Sequence, residues 1–210
     1  MFAKNPYISS LETRVLKRKY INNQMHFTLE DSLLLNYDED NISEEKLYIN
    51  NELIKNMYKS NMGMIYVLDK KIDGDFVKVE IDPLTRAHIL RINSARYLII
   101  NALDKYLSLE AKDFFTDHDY GVFKIDNIFF DNQAKEILDI LNEMVNFYIE
   151  IGLDIISQKR KDDLITKIDG LYQGAFLGHH LGNTSEIMYF EIVDYRFDEK
   201  GIIVKYQTKR

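Results

Sequence analysis

Two adjacent histidines, His179 and His180, lie in the run Gly174-Ala-Phe-Leu-Gly-His-His-Leu-Gly-Asn-Thr-Ser-Glu-Ile187, with glycines at 174, 178 and 182. Glycines let a loop approach a ligand closely or adopt positive φ. An imidazole held in such a loop can ligate a metal or carry a proton near neutral pH. Neighbouring side chains of an extended segment point to opposite faces, so one histidine is expected inward and the other solvated. The plainer alternative for both is a structural or surface role. Of the other histidines, His88 and His118 are isolated. His118 falls in Thr116-Asp-His-Asp-Tyr120, which reads as a polar turn, the alternative being that Asp117 and Asp119 tune its pKa or take a divalent cation with it. The chain holds no P-loop, no Gly-x-Ser-x-Gly elbow, no His-Glu-x-x-His and no dinucleotide fingerprint.

Composition narrows the chemistry further. The 210 residues include no cysteine, which excludes disulfides, thiolate nucleophiles and cysteine-ligated zinc. The formal charge of −7 counts against strong nonspecific binding to nucleic acid, although Arg14/Lys17/Arg18/Lys19 and Lys159–Lys161 form local basic runs. No stretch approaches the ~18 continuous apolar residues of a membrane span, and the first residues lack the apolar core of a signal peptide. The expectation is a cytoplasmic protein with no membrane partner.

Hydropathy patterning divides the chain near Asp82–Arg86. Residues 11–82 read mostly as β: Glu12–Tyr20 and Asn23–Leu29 around a turn at Asn22-Asn23, then Met64–Leu68 and Phe76–Ile81. The last two are expected as a hairpin across Lys70-Lys71-Ile72-Asp73-Gly74-Asp75. Leu47–Tyr58 fits either strand plus turn or a short helix, and the acidic run Asp38–Glu45 fits an exposed loop. Short strands at near-regular spacing suggest a small barrel. From Thr85 to Leu107 apolar residues recur at threes and fours, predicting a long amphipathic helix. Strands are expected at Val122–Ile125 and Ile128–Phe130. A second helix, Gln133–Ile149, is expected with Asp131 as its cap. Asp154–Lys159 and Leu164–Ile168 fit either short strands or extended connectors, and a closing hairpin of Ile187–Tyr195 with Gly201–Gln207 follows. The fold class is therefore α+β: a small β-barrel over residues 1–84, then an α+β domain over 85–210 with a long helix packed on a mainly antiparallel sheet. Phe114, Phe115, Phe123, Phe129 and Phe130 read as core.

Three segments carry a resemblance. Gly74-Asp-Phe-Val-Lys-Val-Glu-Ile-Asp82-Pro-Leu-Thr-Arg86 leads into a helix bearing Arg91-Ile-Asn-Ser-Ala-Arg-Tyr-Leu-Ile99. Much later, His180-Leu-Gly-Asn-Thr-Ser-Glu-Ile187 opens a strand, after a helix ending near Gly152-Leu-Asp-Ile-Ile156. In this order the chain resembles the stand-alone alanyl-tRNA editing proteins, relatives of the editing domains of alanyl- and threonyl-tRNA synthetases. The resemblance implies a small β-barrel before an α/β editing domain, tRNA as partner, and hydrolysis of mischarged alanyl-tRNA. It also implies zinc held by a helical His-x-x-x-His pair and a Cys-x-x-x-His loop.

Against that pattern Asn93 and Arg96 stand where the helix histidines belong, Phe176 where the cysteine belongs, and only His180 remains. The family's glycine-rich barrel segment has no counterpart, since Asn36-Tyr37-Asp38-Glu39-Asp40 occupies its place. Asparagine is a poor zinc ligand and a guanidinium does not coordinate cations. A degenerate zinc site with no bound metal is the expectation. Arg96 is then a candidate anion contact, such as to a terminal ribose-phosphate, its alternative being a salt bridge. Asn93 is a candidate polar contact to substrate, its alternative being a satisfied core amide. His180 or His179 is the candidate general base or ligand-positioner of an ester hydrolase. The competing expectation is a non-catalytic binding or interaction module that keeps the fold.

Overall fold

The computed structural model describes residues 5–34, 46–61, 63–117, 119–128, 130–160, 163–175 and 179–209. It divides into two units, Met1–Ala87 and His88–Arg210. The first unit opens with β1 (Ser10–Ile21) and β2 (Gln24–Leu29), joined through Asn22 and Asn23 at φ 49° and 63°. Asparagine tolerates this left-handed region better than other non-glycine residues, and two such residues in succession match the twist of a tight hairpin. The same device joins β3 (Leu47–Ile49) to β4 (Glu52–Leu53) through Asn50 and Asn51. Next come β5 (Asn56–Ser60), β6 (Gly63–Leu68) and β7 (Phe76–Ile81). Leu47–Tyr58 is thus strand and turn, not helix.

These strands form one antiparallel sheet in the order β4-β3-β7-β1-β2-β6-β5, curled into a half-barrel. β1 produces the curl. Its Ser10–Arg14 half pairs with β7, its Val15–Ile21 half pairs with β2, and a bulge between Val15 and Lys17 turns the strand from one neighbour to the other. Phe27, Leu34, Leu47, Ile49, Tyr66 and Val79 belong to the buried core of the sheet.

The expected β6–β7 hairpin does not form, because β1 and β2 lie between those two strands. The connection is a crossover held by side chains. Arg18 Nη1 donates to the carbonyl of Gly74 at 2.8 Å, and Arg18 Nη2 meets Asp75 at 2.7 Å. Ile72 is buried among the core residues of the sheet. A polar run with Gly74 reads as a turn, yet the buried Ile72 in its middle is what a tight hairpin could not accommodate. Arg86 is the largest fully buried side chain of the unit; its guanidinium donates to the carbonyls of Pro6 (3.0 Å), Ile8 (3.3 Å) and Leu33.

The long helix α1 (Pro83–Ala102) begins with Asp82 Oδ2 accepting from the Thr85 amide at 2.8 Å and ends in a π-helical turn, Leu103–Leu107. The second unit continues with β8 (Ala111–Asp117), β9 (Tyr120–Asp126) and α2 (Asp131–Ile151), then β10 (Ile155–Arg160), β11 (Asp163–Ile168) and β12 (Tyr172–Ala175). A 3-10 turn (Thr184–Ile187), β13 (Phe190–Phe197) and β14 (Gly201–Thr208) complete it. Its described strands form two antiparallel sheets, β13-β14-β9-β8 and β10-β11-β12. On α1 the buried residues include Ile92, Ala95, Leu98, Ile99 and Ala102; on α2 they include Ile137, Leu138, Leu141, Val145 and Tyr148. Both runs follow the threes and fours read from sequence, but Tyr106 is half exposed.

Four details differ from expectation. The partner of β9 is β8, whereas Ile128 and Phe130 lie in no strand. Asp113 at φ 51° and a register shift between Lys112 and Phe115 break the alternation that would have announced β8. Asp131 is the first helical residue of α2, not its cap; it pairs with Lys135 at 2.7 Å and accepts from the Tyr195 hydroxyl at 2.6 Å. Of the phenylalanines expected in the core, Phe123 is fully buried and stacks on Phe114, while Phe115 and Phe130 are exposed. Phe129, His118, Phe176 and Asn36–Asp40 lie outside the described residues, as does the acidic 38–45 loop.

One cross-strand pair fixes the distance between α1 and the four-stranded sheet. Tyr206 on β14 sits opposite Gly121 on β9, and its ring lies in the space a β-carbon at 121 would need. The Tyr206 hydroxyl is fully buried and donates to the Ile92 carbonyl of α1 at 3.1 Å.

Candidate functional site

One face of α1 receives the histidine turn, and hydrogen bonds define which face it is. Asn93 Nδ2 donates to the His179 carbonyl at 3.1 Å. The amide of Leu181 donates to Ser94 Oγ at 2.8 Å, and that hydroxyl donates to Leu90 O one turn back, also at 2.8 Å. Tyr97 stands edge-on to the His180 ring, with centroids 5.6 Å apart. Positions 90, 94 and 97 repeat at helical spacing, so these contacts form a stripe along the helix.

The other side of the turn is stitched to the start of β10. Ile155 N donates to Gly182 O and Thr184 N to Leu153 O, each at 2.8 Å. The Thr184 hydroxyl, fully buried, donates to Tyr148 O at 2.7 Å and accepts from Leu153 N at 2.8 Å. Asn183 caps the 3-10 turn reciprocally with Glu186, and its Nδ2 reaches Gly152 O and Asp154 Oδ1 at 3.0 and 2.9 Å. His180 is thereby held from two sides by bonds that do not involve its ring.

The ring has its own partners. His180 Nδ1 lies 2.7 Å from Leu181 O, and Nε2 lies 2.6 Å from Ser157 Oγ on β10. A carbonyl only accepts, so Nδ1 carries the proton of the neutral ring and Nε2 accepts from the serine hydroxyl. Burial pushes the His180 pKa below its ordinary value, partly countered by the bond to Leu181 O, so the neutral ring is the favoured form. Ser157 pairs across the strands with Thr166, whose hydroxyl is 3.3 Å from Ser157 Oγ and 3.2 Å from the Tyr97 hydroxyl. Thr166 is fully buried; Ser157 is exposed. The local geometry is an accessible hydroxyl on a half-buried, neutral imidazole.

The candidate residues from sequence divide into two groups. His180, His179 and Asn93 come together, through the bonds above. Arg96 turns to the four-stranded sheet, where Nη2 donates to Thr116 Oγ1 at 3.0 Å and the guanidinium lies 6.0 Å from the Phe114 ring centroid. Burial raises the pKa of Tyr206, and the Arg96 charge and hydrogen bond oppose that rise without overcoming it. No carboxylate partner accompanies Arg96 among the described residues. At 100° per residue, 93 and 97 are nearly eclipsed while 96 falls on the far side of 93 from 97. Tyr97, not Arg96, shares the site face with Asn93. Ser157, Thr166 and Tyr97 were missed in sequence. The available signal was the alternation in β10, which puts Ser157 on the same face as the buried Ile155 and opposite to the exposed Ile156.

As a zinc site this constellation fits poorly. The His180 ring meets the Ser157 hydroxyl, the Leu181 carbonyl and the edge of Tyr97, so both ring nitrogens already have partners. Among the described residues no group of three or more His, Asp or Glu gathers where an ion could be held. No helix of the described residues is long and apolar enough to cross a membrane.

Comparison with known proteins adds no assignment: no protein-family model matches the chain, and no curated protein matches it.

Proposed function

We propose that this chain is a cytoplasmic, metal-independent ester hydrolase of the aminoacyl-tRNA editing type, acting in trans on mischarged alanyl-tRNA. The observation that carries the reading is the seating of the His179–Leu181 turn against Asn93, Ser94 and Tyr97 of α1. In the resembled family the helix and the late histidine loop are the two walls of the editing site. A curled antiparallel sheet ahead of a long helix with antiparallel sheets also supports the family's order of a small barrel followed by an editing domain. His180 is the general base in this reading, Asn93 positions the turn beneath it, and Arg96 acts from the sheet side and not on substrate.

The test is incubation with alanine tRNA charged with serine or glycine. The expected result is release of the amino acid above the buffer rate, falling at least ~100-fold in His180→Ala, the size of a general-base contribution. Release at the buffer rate, with an active editing protein run in parallel, removes the reading. A second reading, a non-catalytic binding module retaining the fold, is favoured by the occupied nitrogens of His180, which a purely structural histidine would share. It expects no hydrolysis of any ester, together with retention of tRNA or a protein partner in a pull-down.

A further inference from the structure

We infer that Ser157 is a nucleophile and His180 its base, forming a serine–histidine pair that takes small acyl esters through an acyl-enzyme. The inference deepens the hydrolase reading above, since it assigns the attacking atom, but it stands on contacts independent of tRNA.

Because Nδ1 of His180 is committed to Leu181 O at 2.7 Å, the lone pair of the neutral ring sits on Nε2, and that atom faces Ser157 Oγ at 2.6 Å. The serine proton therefore points at the base, leaving oxygen lone pairs for attack. In nucleophile–base pairs generally, a third group holds the imidazole in the correct tautomer. Here the Leu181 carbonyl fills that role, and Leu181 is itself fixed by its amide on Ser94. Tyr97 limits ring rotation from the side. Burial keeps the ring unprotonated and hence able to accept. Accessibility runs the other way for the two partners: the base is half buried and the nucleophile exposed, so an ester can reach Oγ without the strands opening.

The steps balance without any further reagent. Ser157 Oγ attacks the ester carbonyl carbon while its proton passes to His180 Nε2. The tetrahedral adduct collapses, the bond to the alcohol oxygen breaks, and Nε2 returns the proton to the departing alcohol. Water then attacks the acyl-serine, giving its proton to Nε2, and Ser157 leaves with that proton as the carboxylic acid is released.

The absence of cysteine from the chain makes a direct test possible. A fluorophosphonate probe should phosphonylate the folded protein at Ser157, located by peptide mass spectrometry, with fluoride as the leaving group. Labelling should vanish in Ser157→Ala and fall at least ~100-fold in His180→Asn. In Ser157→Cys, iodoacetamide meets a single thiol, and its alkylation should follow a pKa below the ~8.5 of a free cysteine, returning toward it when His180→Asn is added. Circular dichroism of each variant reports folding, and the cysteine variant keeps the test alive if the alanine variant is unfolded. The pair is overturned if Ser157 stays unlabelled while a serine esterase in the same tube is fully labelled. It is also overturned if labelling of His180→Asn equals that of the parent, or if the thiol of the Ser157→Cys variant titrates as a free one. Labelling of Ser157 with no release from mischarged tRNA supports the pair and removes only the tRNA reading. Full tRNA deacylation by Ser157→Ala does the reverse.

Discussion

Ser94 makes no contact a catalytic residue would make, yet its hydroxyl accepts the Leu181 amide that fixes the backbone beside His180. Replacing it with alanine strands that amide in a buried position, at a cost of about 1–3 kcal/mol. The urea midpoint of Ser94→Ala should fall accordingly, and ester hydrolysis should fall with it while the Ser157 label site is unchanged. His180 also sets a pH dependence. Its folded-state pKa is depressed, so below the ordinary value near 6.5 the unfolded chain binds a proton that the folded one resists. Stability should therefore decline as pH drops from 6.5 toward the folded pKa, with no contribution from this residue above 6.5. Denaturant melts across that window should show a shallower slope in His180→Asn. How much of this was legible in sequence differs by residue. The double histidine between glycines was visible as a motif, and Asn93 and Arg96 were read as sharing one helix face. The fold sends Asn93 to the His179 carbonyl and Arg96 to Thr116, because a spacing of three and a spacing of four both read as one face until a partner segment selects the stripe. Ser157 is chemically silent in a strand and acquires meaning only from the imidazole that folds back on it.

At the scale of elements, periodicity carried the helices and most strands, and connections failed. The two helices were visible because their apolar residues recur over twenty positions. β8 was not, with an aspartate at φ 51° interrupting its alternation. The crossover at 69–75 looked like a hairpin because polarity and Gly74 signal a turn locally, while the choice of β1 and β2 as intervening strands is a property of the whole sheet. The asparagine pairs, by contrast, were read correctly at 22–23. Asn23→Val places a β-branched residue at φ 63° and should lower stability by about 1–2 kcal/mol. Asn23→Gly, which enters the same region freely, should not. Thermal melts of the two variants distinguish a turn that depends on backbone conformation from one that depends on the amide side chain.

For the molecule as a whole, the donor chemistry around His180 makes a prediction about metals. Prolonged treatment with a strong chelator, followed by gel filtration, should leave the melting temperature and any ester hydrolysis unchanged, because no described ligand set depends on an ion. A loss of either, restored by zinc, would place a metal where the Ser157 hydroxyl and the Leu181 carbonyl now meet the imidazole. The second unit also contains a packing constraint at Gly121 and Tyr206. Gly121 leaves the niche that the Tyr206 ring fills, and the ring's hydroxyl meets the α1 carbonyl immediately before Asn93. Even one added methyl must either push the aromatic group off the strand or lever the helix outward. In a library of random variants selected for folding, this hydrogen-only position should tolerate fewer replacements than the reactive pair itself, and its rare survivors should carry a smaller residue at 206.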